Sequence, residues 1–200
     1  MAKSTSIYTS NRAWGMPRLA VAAVAATLVL VLAACGSGGD NGSGDAPDYD
    51  SALQGSPPKL AALHDQSGQL LSGGQPAFEK RIRELRGYPI VVNKWASWCG
   101  PCRSEFPFFQ SQSAKHGTKV AFLGVDANDG EDSAKQFLSE LPIPYPSYVD
   151  PDQEIAKSIE AEVAFPSTAF YDKTGKRVFV RSGTYASEDD LAADIKRYAL

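Results

Sequence analysis

Apolar and polar positions divide the chain into stretches of different character. Residues 19–34, LAVAAVAATLVLVLAA, are apolar throughout except at Thr27, whereas residues 36–57 hold few large apolar side chains. From Lys59 onward, short apolar runs alternate with amphipathic segments. Tyr88–Trp95 (YPIVVNKW) and Lys119–Val125 (KVAFLGV) are β-branched runs of the length of buried strands. Gln75–Arg86 places Phe78, Ile82 and Leu85 on one face, with Pro76 in its first turn and Gly87 beyond its end, which predicts a helix. Pro101–Lys115, Asp132–Leu141 and Gln153–Glu160 are also predicted helical. Ser167–Tyr171 and Arg177–Arg181 read as strands joined across Asp172-Lys173-Thr174-Gly175-Lys176, a hairpin by its turn chemistry. Ser187 is placed to cap a closing helix through Tyr198, with Asp189 and Asp190 in its first turn. No internal repeat interrupts this order, which predicts one α/β domain with a mixed sheet and helices on both faces.

The first apolar run follows a segment holding Lys3, Arg12 and Arg18 and no acid. It is shorter than the roughly 20 residues of a usual spanning helix and ends in small residues, as signal peptides do. Leu32-Ala33-Ala34-Cys35 resembles the bacterial lipobox, which implies that Cys35 becomes a diacylglycerol thioether at the mature N-terminus. The expected organisation is a signal peptide over residues 1–34, then the lipidated Cys35 with a flexible Gly/Ser/Asp tether to residue 57. A folded domain follows over 58–200. As a coil, such a tether would span about 25 Å. Without the first segment the chain carries a net charge of about −6, which disfavours nucleic acid as a partner.

The remaining two cysteines, of three in all, lie in ASWCGPCRSEFP, residues 96–107. A structural disulfide, half of a metal site and a redox pair are the alternatives. Tetrahedral zinc needs four ligands, and there is no second CxxC, only His64 and His116 far apart in sequence, so neither a metal nor another cofactor is expected. A disulfide closing so small a loop removes little entropy from the unfolded chain. Between a strand and a helix, Cys99 falls at the helix N-terminus, where unpaired N–H groups and the dipole favour a thiolate. Cys102, one turn on and more enclosed, is positioned to resolve a mixed disulfide at an exposed Cys99.

Trp98-Cys99-Gly100-Pro101-Cys102 resembles the active site of the thioredoxin superfamily, and Val92–Cys99 (VNKWASWC) is similar to its envelope branch, the TlpA/ResA family. Asn93 stands where cytosolic thioredoxin has a buried Asp, and Glu105-Phe106-Pro107 resembles the acid-Phe-Pro pattern of the branch. Val163–Thr168 (VAFPST) resembles the segment that sets a cis-proline against the cysteines. The likeness runs from about residue 60 to the C-terminus and implies a thioredoxin-like fold. It also implies that Glu105 takes the proton of Cys102, and that Trp98, Phe165 and Pro166 meet the substrate. Phe165 departs from the aliphatic or small residue usual before this proline.

The resulting expectation is a membrane-anchored, extracytoplasmic thiol–disulfide oxidoreductase, a monomer whose 99–102 disulfide is re-reduced by a membrane redox partner. Its substrates would be disulfides of exported proteins, such as apocytochrome c before haem attachment, an implication of the resemblance alone. An oxidase donating disulfides to secreted proteins is the alternative within the same chemistry. A tethered peptide-binding module without turnover is the alternative from another class, and it would keep its activity without the two cysteines.

Overall fold

A computed structural model describes residues 46–200. The expected signal peptide, Cys35 and the first part of the expected tether lie outside the described residues. Helix α1 (Tyr49–Ala52) precedes α2 (Pro58–His64), strand β1 (Leu70–Leu71), α3 (Gly74–Glu84) and β2 (Ile90–Trp95). Then come α4 (Gly100–His116), β3 (Ala121–Ala127), α5 (Glu131–Glu140), β4 (Ser147–Asp150) and α6 (Glu154–Ser158). The hairpin β5 (Ser167–Tyr171) and β6 (Arg177–Ser182) and helix α7 (Glu188–Tyr198) close the chain.

The strands form one mixed sheet in the order β1-β4-β3-β2-β5-β6. The first four are mutually parallel, and β5 runs antiparallel to β2 and to β6. Strand β2 is therefore interior and buried along its whole length. Its side chains alternate between two cores, as the period of a strand requires. Val91 and Trp95 join Phe106, Phe109, Phe137, Leu191 and Ile195 on the face covered by α4, α5 and α7. Ile90 and Val92 join Leu60, Leu63, Phe78, Ile82 and Ile155 on the face covered by α2, α3 and α6. Trp95 stacks on Phe137 at 4.9 Å between centroids and meets Phe106 edge-on at 5.4 Å, which ties α4 and α5 to the end of β2. Trp95 Nε1 also donates to Ser147 Oγ at 3.1 Å. That contact needs Gly124, because a Cβ there would stand 2.0 Å from the same oxygen.

The predicted elements are present with ends shifted by at most two residues. Asp172 Oδ1 accepts from the Thr174 and Lys176 N–H groups, and Gly175 has φ +81°, so the hairpin turn forms as its chemistry predicts. Ser187 Oγ accepts from the Asp190 N–H and caps α7.

The tether expectation needs correction in its described part. Tyr49–Ala52 is helical, the Tyr49 hydroxyl donates to the Pro142 carbonyl at 3.0 Å, and Leu53 is buried. Tyr49 and Leu53 are the large apolar side chains in an otherwise small and polar stretch, and both dock on the domain. The short strands β1 and β4 and helix α2 were not predicted, since β1 has only two residues and β4 (SYVD) carries no alternating apolar signal.

Candidate active site

Strand β2 ends at Trp95, and the chain turns through Ala96-Ser97-Trp98 before α4 begins at Gly100. Asp129, just beyond β3, holds this turn: its carboxylate accepts from the Ser97 N–H and, at 2.8 Å, from the Ser97 hydroxyl. Trp98 Nε1 donates to the Asn128 carbonyl at 2.8 Å, and the residue is 56% exposed. Cys99 is the N-cap of α4, its Sγ accepting from the Cys102 N–H at 3.1 Å, and the two cysteines are joined as a disulfide. The helix runs on through Pro107.

The expected enclosure of Cys102 holds, since it is fully buried, but Cys99 is only 3% exposed rather than open to solvent. Both sulfurs belong to the core beneath α4, with Phe165 packed against it from the side. Pro166 is buried, and the Phe165–Pro166 bond is cis. The Phe165 ring lies 4.8 Å from that of Trp98, and Val163, two positions earlier in the same loop, is 93% exposed.

Glu105 is fully buried one turn after Cys102. Its Oε2 accepts from the Tyr185 N–H at 3.0 Å and the Thr184 hydroxyl at 3.3 Å, while Oε1 has no partner among the described residues. Burial pushes the carboxyl up to about 7, opposed by those two donors and by the more distant Arg181. A group balanced near neutrality can both accept and return a proton. Trp98, Cys99, Cys102, Glu105, Phe165 and Pro166 thus come from β2–α4 and the loop before β5, which adjacent strands bring together.

Several buried groups around the site were not singled out in the sequence. Asp126, at the end of β3, is 1% exposed with neither carboxylate oxygen bonded among the described residues. Burial and the neighbouring Asp129 and Asp150 push it up to about 8. Lys94 is fully buried in β2, its Nζ donating to the Ala161 carbonyl at 2.7 Å and lying 3.5 Å from the Phe165 ring centroid. Burial lowers its pKa to about 8, against the fields of Asp150 and Glu162. The available signal was a charge inside each apolar run: Lys94 in IVVNKW and Asp126 in AFLGVDA. No cluster of three or more His, Cys, Asp or Glu suited to a metal occurs among the described residues.

The Redoxin family model matches residues 64–195. Among curated proteins, the chain is 26% identical over 108 residues to the thiol-disulfide oxidoreductase ResA of Bacillus thuringiensis subsp. konkukian, covering 54% of this chain and 62% of that protein. It thus spans less than two thirds of the length of this relative. Identity to the thioredoxin-like protein YneN of Bacillus subtilis is 27% over 131 residues, covering 62% and 72% of the two chains. The solved structure of MTB dsbF in its mixed oxidized and reduced forms superposes with a TM-score of 0.53 at 28% identity, over 57% of this chain and 84% of that one. With a Cys99–Cys102 disulfide at the start of α4, a buried acid one turn behind it and a family match across both, this chain is a member of the Redoxin family with a thioredoxin-like fold.

Proposed function

We propose that the protein is a thiol–disulfide oxidoreductase that reduces disulfides of exported proteins at the outer face of a cell membrane. The observation that carries this reading is the Cys99–Cys102 pair at the N-terminus of α4 with Glu105 buried one turn behind it. In the dithiol form, the Cys99 thiolate attacks one sulfur of a substrate disulfide. The substrate S–S bond breaks, a Cys99–substrate disulfide forms, and the released thiolate takes a proton. Cys102 then gives its proton to the Glu105 carboxylate and attacks the Cys99 sulfur, expelling the second substrate thiolate. Two electrons pass to the substrate, and the 99–102 disulfide remains for re-reduction by a membrane redox partner.

The Gly100-Pro101 pair between the cysteines supports the reductive direction, because cytosolic thioredoxin uses the same dipeptide. Attachment rests on the lipobox-like Leu32–Cys35, with a diacylglycerol on Cys35 as the anchor. No helix among the described residues is long and apolar enough to cross a membrane. The substrate class extends to the disulfide of apocytochrome c, whose thiols are needed before haem attachment, by the resemblance to the ResA type, and the working unit is a monomer.

The test is the reduction potential of the Cys99–Cys102 couple, measured by equilibration with redox buffers. A value near the about −270 mV of thioredoxin fits a reductase, and one near the about −120 mV of DsbA overturns the direction in favour of an oxidase. A double Cys99→Ser, Cys102→Ser variant that keeps full activity would instead leave a binding module.

A further inference from the structure

Lys94 sits where an aliphatic side chain would satisfy the core, between Val92 and the end of an interior strand. A buried ammonium is costly to desolvate, and replacing such a group by an apolar one is often neutral for stability. Its contacts all lead to one loop. Nζ donates to the Ala161 carbonyl at 2.7 Å, faces the Glu162 carbonyl at 3.5 Å, and lies 3.5 Å from the centre of the Phe165 ring. It makes no ion pair within 4 Å among the described residues. The buried carboxylate acting on it, Asp150, is committed to the Ile155 and Ala156 N–H groups at the start of α6.

The same loop carries the apolar surface beside the disulfide. The Lys94 ammonium lies over the Phe165 ring, that ring meets Trp98 at 4.8 Å between centroids, and Trp98 is in turn tied to Asn128. Lys94 and Ser167 are paired in the β2–β5 register, so the loop folds back over the ammonium immediately before Pro166. A cation held out of water against an aromatic face fixes the ring in place more strongly than an alkyl contact does.

We propose that Lys94 is the positioning residue of the substrate surface: through the Phe165 ring it sets where Phe165 and Trp98 stand, selecting peptide disulfides flanked by apolar side chains over small disulfides. This rests on the reading of Phe165 as substrate-facing. Lys94 itself touches no reacting atom.

The experiment compares kcat/KM of the reduced protein for a peptide with one intramolecular disulfide flanked by leucines and for bis(2-hydroxyethyl) disulfide. The ratio of the two is the readout, which a general loss of folded protein does not move. Lys94→Gln keeps a donor for the Ala161 carbonyl but removes the charge over the ring, and Lys94→Met provides a second variant that fills the same space. Each is expected to lower the peptide-to-small-disulfide ratio by about tenfold. Phe165→Leu should lower it similarly, and combining it with Lys94→Gln should add nothing further.

An unchanged ratio in both Lys94 variants overturns the proposal while leaving the Phe165 surface intact. Losses that multiply in the double variant overturn it too, because Lys94 then acts independently of Phe165. A wild type with no preference for the peptide removes the Phe165 reading and this inference together. A wild type that reduces neither disulfide removes the reductase reading with both.

Discussion

The backbone N–H of Tyr185 donates to the Glu105 carboxylate at 3.0 Å, joining the loop before α7 to the active-site helix across 80 positions of sequence. This bond and the Thr184 hydroxyl favour the ionised carboxylate, while burial favours the protonated one and wins, leaving the group at about 7. If Glu105 receives the Cys102 proton, Glu105→Gln removes the base while keeping the shape. Rapid-mixing measurements of the resolving step should then show a loss of about 10²- to 10⁴-fold. Equal rates and equal pH midpoints in variant and wild type would leave Glu105 without a role in proton transfer.

Thr184→Val tests the same balance from the other side. It deletes a donor to the ionised form at nearly constant volume, so the Glu105 pKa should rise further. The pH midpoint of the resolving step is expected to move upward by up to about one unit. A downward shift contradicts the assignment of the hydrogen bond.

The proposed division of labour between the two thiols predicts asymmetric trapping. Cys102→Ser should accumulate a mixed disulfide through Cys99, and Cys99→Ser should accumulate little, because Cys102 is fully buried. Non-reducing electrophoresis after reaction with a protein disulfide provides the count. Equal trapping by both variants would reverse or remove the assignment of nucleophile and resolver.

Asp126 makes a prediction about stability. Its folded pKa of about 8 lies above the usual carboxylate value, so between about pH 4 and 8 the native protein holds a proton that the unfolded chain has released. Its contribution is greatest below pH 4 and is lost as pH rises through 8, with a slope of at most about 1.4 kcal/mol per pH unit. Glu105 adds a fall of the same sign ending near pH 7. Asp126→Asn should therefore flatten the decline in denaturant midpoint from pH 5 to 8. A wild type whose stability is level across that range contradicts the buried neutral acid.

The anchor is tested chemically. Cys35→Ser removes the thiol that a diacylglycerol would alkylate, so the variant should partition into the aqueous phase of a detergent extraction while the wild type stays with the detergent. Mass spectrometry finding a free Cys35 thiol in the mature wild-type protein would refute lipidation.

The chain alone determined the fold class and the dithiol, because both rest on local chemistry. A strand needs only its own β-branched run, a helix its apolar stripe and cap, and Cys99 and Cys102 are one turn apart in any helix that begins there. Glu105 was legible through the resemblance of Glu105-Phe106-Pro107 to the acid-Phe-Pro pattern, with its place three positions after Cys102 in accord. What sequence could not supply was the environment of those groups. The burial of Cys99 depends on the core beneath α4, and the balance on Glu105 comes from Thr184 and Tyr185, some 80 positions away. Lys94 and Asp126 could be seen as charges within apolar runs, but their meaning depended on which strands flank β2 and β3. Only the pairing of β2 with β5 brings Phe165 over the Lys94 ammonium. Only the loop after β3 places Asp129 beside both Ser97 and Asp126. Proton affinity and ring placement are set by desolvation and by partners distant in sequence, so they are properties of the packed sheet rather than of any local segment.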